Sequence, residues 1–325
     1  MHRFANVYRT LKAAHIIMGR MSTTQLVEEL RSNFGEYHQK YIEKREGLSF
    51  DKNGNPKDSW KDIPANTLAK DIYDAYISDT GDCNFKIIDF GCGLDGLFET
   101  ELAGFVKERE AFGIVSVVAL DVVKFRDAKA LTDAGSKPED GIDGVFTKFV
   151  CTTFACDYTD PTSNEDFKES FGATKFDAGV FCLALMADDA LEKGLSIASV
   201  TVKPSGAIYF VFDLWKLDIN PAAGKEIKKK KMEAWSVAFE SLTGFRVVKH
   251  EFKGSPTMAY IQLTNIGLDE SEGLKEKLQG ITLKSLATFT TRSKGTEHHA
   301  DQSASRQAGP SNHALGKRHH DDSSD

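Results

Sequence analysis

The chain has 325 residues, 41% of them hydrophobic, which is enough apolar material for a full core. A formal net charge of -7 excludes a surface that is basic all round, so any nucleic-acid contact has to come from a local patch. Five cysteines, an odd number, exclude a fully paired disulfide framework and point to reduced thiols in an intracellular protein.

Residues 1–21 read as an extension. Arg3, Arg9, Lys12 and Arg20 occur there with no acid, a pattern shared with organellar transit peptides. The alternative is an incidental leader ahead of a second start at Met21. Residues 22–80 read as a helical N-terminal cap. One helix is expected over 22–46, with Leu26, Val27, Leu30, Phe34 and Tyr41 on its apolar face. Asn53-Gly54-Asn55-Pro56 marks a loop, and a second helix is predicted from Pro64 to about Ile77.

From 81 to 266 the pattern alternates. Strands are predicted at Phe85–Phe90, Ile114–Leu120, Phe149–Cys156, Phe176–Leu183 and Ala207–Phe212. Helices are predicted at Leu97–Glu108, Asp189–Val202 and Lys225–Leu242. Continuous apolar strands between helices mean an α/β fold with a mostly parallel, doubly wound sheet covered on both faces. Lys203-Pro204-Ser205-Gly206 reads as the turn leading into the fifth strand. The last two runs, Arg246–Phe252 and Thr257–Leu263, are joined too tightly for a parallel crossover, so the last strand should be antiparallel. Residues 122–148 look like an insertion and 267–292 like a C-terminal extension. The polar tail 293–325 is expected to be disordered. Its pairs His298-His299 and His319-His320 read as solvated rather than metal-binding. Cys151 and Cys156 have no partners at zinc spacing, so no metal is expected.

The chemistry concentrates where strands end. Gly91 and Gly93 follow the first strand and allow a tight turn with close ligand approach. Gly91-Cys92-Gly93-Leu94-Asp95-Gly96 also fits the loop of dinucleotide binders. Asp89 argues against that, because a carboxylate there repels a pyrophosphate and attracts a ligand carrying ammonium and sulfonium groups. Asp121 ends the second strand, where an acid can accept both ribose hydroxyls. Asp157 ends the third, where an acid can accept an adenine amino group. Five lysines, Lys225, Lys228, Lys229, Lys230 and Lys231, open a helix and can neutralise phosphates or form a solvated face.

Several of these motifs together resemble a known family. They are Tyr37-His38, Trp60 with Pro64, Asp89-Phe90-Gly91-Cys92-Gly93, Leu120-Asp121, Cys156-Asp157, the run Val180 to Met186, Lys203-Pro204-Ser205-Gly206, and Leu242 to Phe245. From about Tyr37 to Leu263 the chain resembles the ribosomal RNA-processing methyltransferases of the nucleomethylin type, which methylate adenine N1 in large-subunit rRNA. That resemblance implies a Rossmann-like class I methyltransferase fold with S-adenosylmethionine as cofactor. It implies a site lined by His38, Gly91, Asp121, Asp157, Tyr158 and Cys182, with the helix of His38 folded over the cofactor. It also implies rRNA as partner and a nuclear or nucleolar location, with cytoplasm or an organelle as alternatives. The chain departs from the family at Ala187-Asp188-Asp189 and at Asp213-Leu214-Trp215-Lys216. Asp188 and Asp189 are therefore the candidate catalytic acids, able to support a cationic product. Phe181, Trp215 or Tyr158 is a candidate to stack on the target base. Competing readings are a methyltransferase for a protein or small molecule, a cofactor-binding module without activity, and an NAD-dependent oxidoreductase.

Overall fold

Apolar residues on both faces of successive strands require cover on both sides, and the chain supplies it with helices. The computed structural model describes residues 21–33, 64–77, 83–93, 96–108, 113–122, 128–135, 147–185, 189–220, 222–252, 258–267, 273–282 and 286. Residues 23–33 are helical (α1). Then follow α2 (Pro64–Tyr76), β1 (Cys83–Phe90), α3 (Leu97–Glu108), β2 (Gly113–Asp121), α4 (Ala128–Gly135) and β3 (Thr147–Ala155). The order continues with α5 (Glu165–Phe171), β4 (Phe176–Cys182), α6 (Ala190–Thr201), β5 (Val202–Asp213), α7 (Lys225–Thr243), β6 (Arg246–Glu251), β7 (Met258–Thr264) and α8 (Leu274–Leu278).

Seven strands form one sheet in the order β3-β2-β1-β4-β5-β7-β6. β1 to β5 are parallel. β7 enters between β5 and β6 and runs antiparallel to both, as the tight closing turn predicts. This is the doubly wound, Rossmann-like arrangement expected from the sequence. Its strand ends are flush, with Phe90 opposite Leu120, Asp121 opposite Ala155 and Cys182 opposite Val211. Residues that follow β1, β2, β3 and β4 therefore meet at one edge.

Two cores flank the sheet. One packs Phe90, Phe154, Phe181 and Phe210 against Leu26, Leu191, Leu195, Trp235, Phe239 and Leu278. Its rings stack across neighbouring strands, with Phe90 and Phe181 centroids 4.5 Å apart and Phe181 and Phe210 4.8 Å apart. The other packs Ile87, Val117, Phe149 and Val180 against Leu68, Ile72, Phe98, Leu102 and Val106. The two N-terminal helices thus lie on opposite faces of the sheet rather than forming a separate cap, because each buries its own apolar stripe. The extension at 267–292 also joins the first core, through Leu278, Ile281 and Leu286.

The Lys203–Gly206 segment differs from its predicted role. β5 begins at Val202, and 203–206 bulge out between the pairs Phe176–Val202 and Ala178–Ala207. Ser205 takes a left-handed φ of 63° there. Buried Asn265 holds the bulge, its amide reaching the carbonyls of Val202 at 2.7 Å, Lys203 at 3.2 Å and Ser199 at 3.3 Å. The extension at 1–20, most of the insertion and the tail at 293–325 lie outside the described residues. Among the described residues no helix is long and apolar enough to cross a membrane. Asn265→Ala should cost about 2–4 kcal/mol, since each orphaned buried carbonyl costs about 1–3 kcal/mol. Thermal or urea denaturation reads this directly, and an unchanged midpoint would show the bulge to be held by other contacts.

Candidate active site

The turn after β1 is fixed by the end of β2. The Gly91 and Cys92 amides both donate to the Leu120 carbonyl, at 2.7 and 3.1 Å. Gly91 has φ of 85°, and a Cβ added there would lie 2.6 Å from the Cβ of Ala184. Only glycine satisfies both conditions. Ala184 comes this close because Leu183, just past β4, turns the chain with a left-handed φ of 61°. The Leu183 amide donates to the Val211 carbonyl at 3.2 Å, which anchors that turn to β5.

Asp121 faces the same turn. One oxygen accepts from the Gly93 amide at 2.8 Å and the other from the Val122 amide at 2.6 Å. These two bonds orient the carboxylate and leave each oxygen a further lone pair for a ligand. Burial raises its pKa, and the two amides work against that rise. Asp157 folds into its own turn, accepting from the Thr159 amide at 2.9 Å and hydroxyl at 2.7 Å. Tyr158 bridges two site loops. Its ring lies against Gly91, and its hydroxyl donates to the Ala184 carbonyl at 2.8 Å.

Asp89 points to the face covered by α2 and α3 and is only 1% exposed. There it meets Glu99, in the first turn of α3 and 0% exposed. Burial and the neighbouring acids Glu99 and Asp121 push the Asp89 carboxyl well above its usual range. Burial likewise lifts Glu99 to about 7, although its own amide and Asp89 oppose the shift. Ionisation of both acids at once is therefore disfavoured. Cys92, Cys151 and Cys182 surround the pair, and burial together with these acids raises all three thiols. Cys182 is a neutral thiol beside the acids rather than a nucleophile. The sequence reading missed Glu99. Its signal was a charged residue on the buried stripe of Glu99, Leu102, Ala103 and Val106.

Asp189 is engaged elsewhere. Its Oδ1 accepts from the Thr23 amide at 2.7 Å and the Thr23 hydroxyl at 2.5 Å, and its Oδ2 lies 3.1 Å from Lys193. It thereby caps the first turn of α1, where a negative charge is favourable. Partial burial works against ionisation, but the bonds from Thr23 and Lys193 hold the carboxyl below its ordinary value. Asp189 is thus a positioning residue that seats α1 at the sheet edge. Lys216 also positions a loop, donating to the Leu185 carbonyl at 2.6 Å. Phe181 is 1% exposed and stacked between Phe90 and Phe210, and Tyr158 is buried, so neither ring is free to stack on a base. His38, Asp188 and the side chain of Trp215 lie outside the described residues.

Asp89, Gly91, Gly93, Asp121, Asp157, Tyr158 and Cys182 thus gather at one edge of the sheet. The lysine run is at that edge too, because α7 begins after the carboxyl end of β5. Lys225, Lys229, Lys230 and Lys231 are exposed and Lys228 is half-buried. Lys231 donates to the Asp218 carbonyl at 2.7 Å.

No protein-family model matches the chain, and no curated protein matches it either. Solved structures do. The N-methyltransferase NodS from Bradyrhizobium japonicum matches at a TM-score of 0.33 and 12% identity, over 62% of this chain and 94% of that one. An rRNA methylase from Streptococcus thermophilus matches at 0.34 and 12%, over 63% and 95%. Human N-acetylserotonin methyltransferase, in complex with S-adenosylmethionine, matches at 0.38 and 13%, over 78% and 65%.

Two outcomes follow from the site's geometry. Asp189→Ala should destabilise the protein by about 0.5–2 kcal/mol, the usual worth of a helix N-cap. Limited proteolysis should then cut within 23–33, and unchanged protection there would mean the cap does not hold α1. Glu99 binds its proton more tightly when folded, so its stabilising contribution is full below 4.5 and is lost as pH rises through about 7. Wild type should therefore lose thermal stability relative to Glu99→Gln across that interval. Parallel melting curves would show that the carboxyl does not titrate there.

Proposed function

We propose that the chain is a class I, S-adenosylmethionine-dependent methyltransferase acting on adenine N1 of large-subunit rRNA. The observation that carries this reading is that Asp89, Asp121 and Asp157 stand at or just beyond the carboxyl ends of three adjacent strands, with no basic residue among the described groups acting on Asp89 or Asp121. A dinucleotide's pyrophosphate finds no favourable place there, whereas a cationic nucleoside does. The residues fit such a cofactor: Asp89 Oδ1 and both Glu99 oxygens are buried without a hydrogen-bond partner, and such atoms call for a ligand or proton.

When bound, S-adenosylmethionine supplies an electrophilic methyl group on a sulfonium. The chain's residues do the rest. Asp121 would hold the ribose hydroxyls with its remaining lone pairs, Asp157 would accept from the adenine amino group, and Asp89 would hold the methionine end. His38, on the family resemblance, closes over the same ligand. An acceptor adenine N1 has an in-plane lone pair and needs no general base, so alignment and exclusion of water are the main tasks. N1 lies on the pairing edge, so the base must be unpaired or flipped out. Methylated N1 carries positive charge, and Asp188 is the acid proposed to support it.

The lysine run supports an RNA acceptor. Lys225 and Lys228, in the first turn of α7, oppose the helix dipole, and Lys229, Lys230 and Lys231 continue the basic run. Phosphates beside the site would offset that opposition. An rRNA substrate would place the protein in the nucleolus. The acidic run Asp188-Asp189 and the net charge of -7 favour a second reading, a protein or small-molecule acceptor.

The test uses methyl-labelled S-adenosylmethionine with unmodified large-subunit rRNA, read by nucleoside mass spectrometry. Wild type should place label in N1-methyladenosine. Asp121→Ala should abolish it and weaken S-adenosylhomocysteine binding roughly tenfold to hundredfold, since a hydrogen bond to a charged group is worth about 1.5–3 kcal/mol. Absence of label from protein that still binds S-adenosylhomocysteine moves the acceptor to protein or small molecules.

A further inference from the structure

Glu99 has no role in the reading above. It occupies a position where α3 otherwise buries Leu102, Ala103 and Val106, and an apolar side chain would satisfy packing there. A second acid beside Asp89 is costly, because neither is exposed to water. Among the described residues, the groups facing the pair are Cys92 from the glycine turn, Asp121 from β2, Cys151 from β3 and Cys182 from β4. None is a base, so nothing among them neutralises two carboxylates. Asp89 Oδ1, Glu99 Oε1 and Glu99 Oε2 all lack a partner. The pair also flanks the glycine turn, Asp89 standing two residues before Gly91 and Glu99 in the first turn of the helix that follows.

We propose that Glu99 joins Asp89 as a second carboxylate for the ammonium group at the cofactor's methionine end, and that the pair releases its shared proton when the cofactor binds. The inference rests on the cofactor reading given above. Before binding, the pair holds one proton and one negative charge. Binding brings in an ammonium with its three protons intact. The shared proton leaves to solvent, and two carboxylates then face one cation. No covalent bond forms or breaks. Cofactor affinity thereby becomes linked to pH, falling as the medium becomes more acidic.

Calorimetric titration with S-adenosylhomocysteine, in buffers of different ionisation enthalpy, counts released protons. This ligand keeps the ammonium and lacks the sulfonium, so it isolates the methionine end. Wild type should release roughly one proton per site near about pH 6, and Kd should weaken about tenfold between about pH 8 and about pH 6. Glu99→Gln keeps a hydrogen-bonding group beside Asp89. It should release fewer protons than wild type and show a shallower dependence of Kd on pH over the same interval, since Asp89 stays buried. If that variant folds poorly by circular dichroism, Glu99→Leu, which suits the apolar surroundings of position 99, takes its place with the same expected outcome.

Wild-type binding without proton release overturns the proposal and leaves the cofactor assignment standing. Release and slope equal to wild type in folded Glu99→Gln overturn it as well, because Glu99 then contributes nothing to the linkage. Absence of S-adenosylhomocysteine binding to wild type at every pH overturns the cofactor reading and this inference with it.

Discussion

Buried negative charge governs the site. Asp89 and Glu99 lie side by side with almost no access to water, and Asp121 adds a third acid nearby. An isolated carboxylate in such a place is disfavoured by several kcal/mol, so the cluster takes up a proton or awaits a cation. The surrounding structure follows from this condition. The cysteines packed around it stay neutral. Asp121, by contrast, is held at the turn by the Gly93 and Val122 amides, which work against the rise that burial causes.

A second constraint is steric. Tyr158, Gly91 and Ala184 lock the loop after β3 to the turns after β1 and β4. Ala184 touches Gly91 only because Leu183 accepts a left-handed conformation, and a non-glycine residue held there stores strain of about 1–3 kcal/mol. The anchors that hold this geometry come from different parts of the chain. Lys216 fixes Leu185 from beyond β5, and Thr23 fixes Asp189 from the N-terminal helix. Loops at this edge are thus preorganised by contacts remote in sequence.

The strand and helix order was legible because apolar periodicity and strand-end turns are local properties. β1, β2, β4, α3 and α7 lie within about two residues of their predicted bounds. Positions of the acids at strand ends were legible for the same reason. Pairings across the fold were not. Nothing local tells that Asp189 caps a helix 166 positions away, or that Asn265 holds the bulge before Ala207. Phe181 ends a strand as a base-stacking residue would, yet the parity of the sheet turns it into the aromatic stack with Phe90 and Phe210. Glu99 was hidden by its residue type, since a glutamate in an exposed first helical turn looks ordinary. Only its phase with Leu102 and Val106 betrays it.

The distribution of charge bears on the acceptor. The part of the edge formed by the ends of β1, β2 and β3 is acidic, through Asp89, Glu99, Asp121 and Asp157. The start of α7 is basic and stands at that same edge, beyond β5. A small neutral acceptor has no use for exposed lysines placed against the dipole of their own helix. A polyanion whose reacting group turns cationic uses both regions at once, phosphates on the lysines and the developing charge toward the acids. Salt screens the exposed lysines far more than the buried acids. On the proposed reading, acceptor grip and cofactor grip would therefore depend on ionic strength to different degrees.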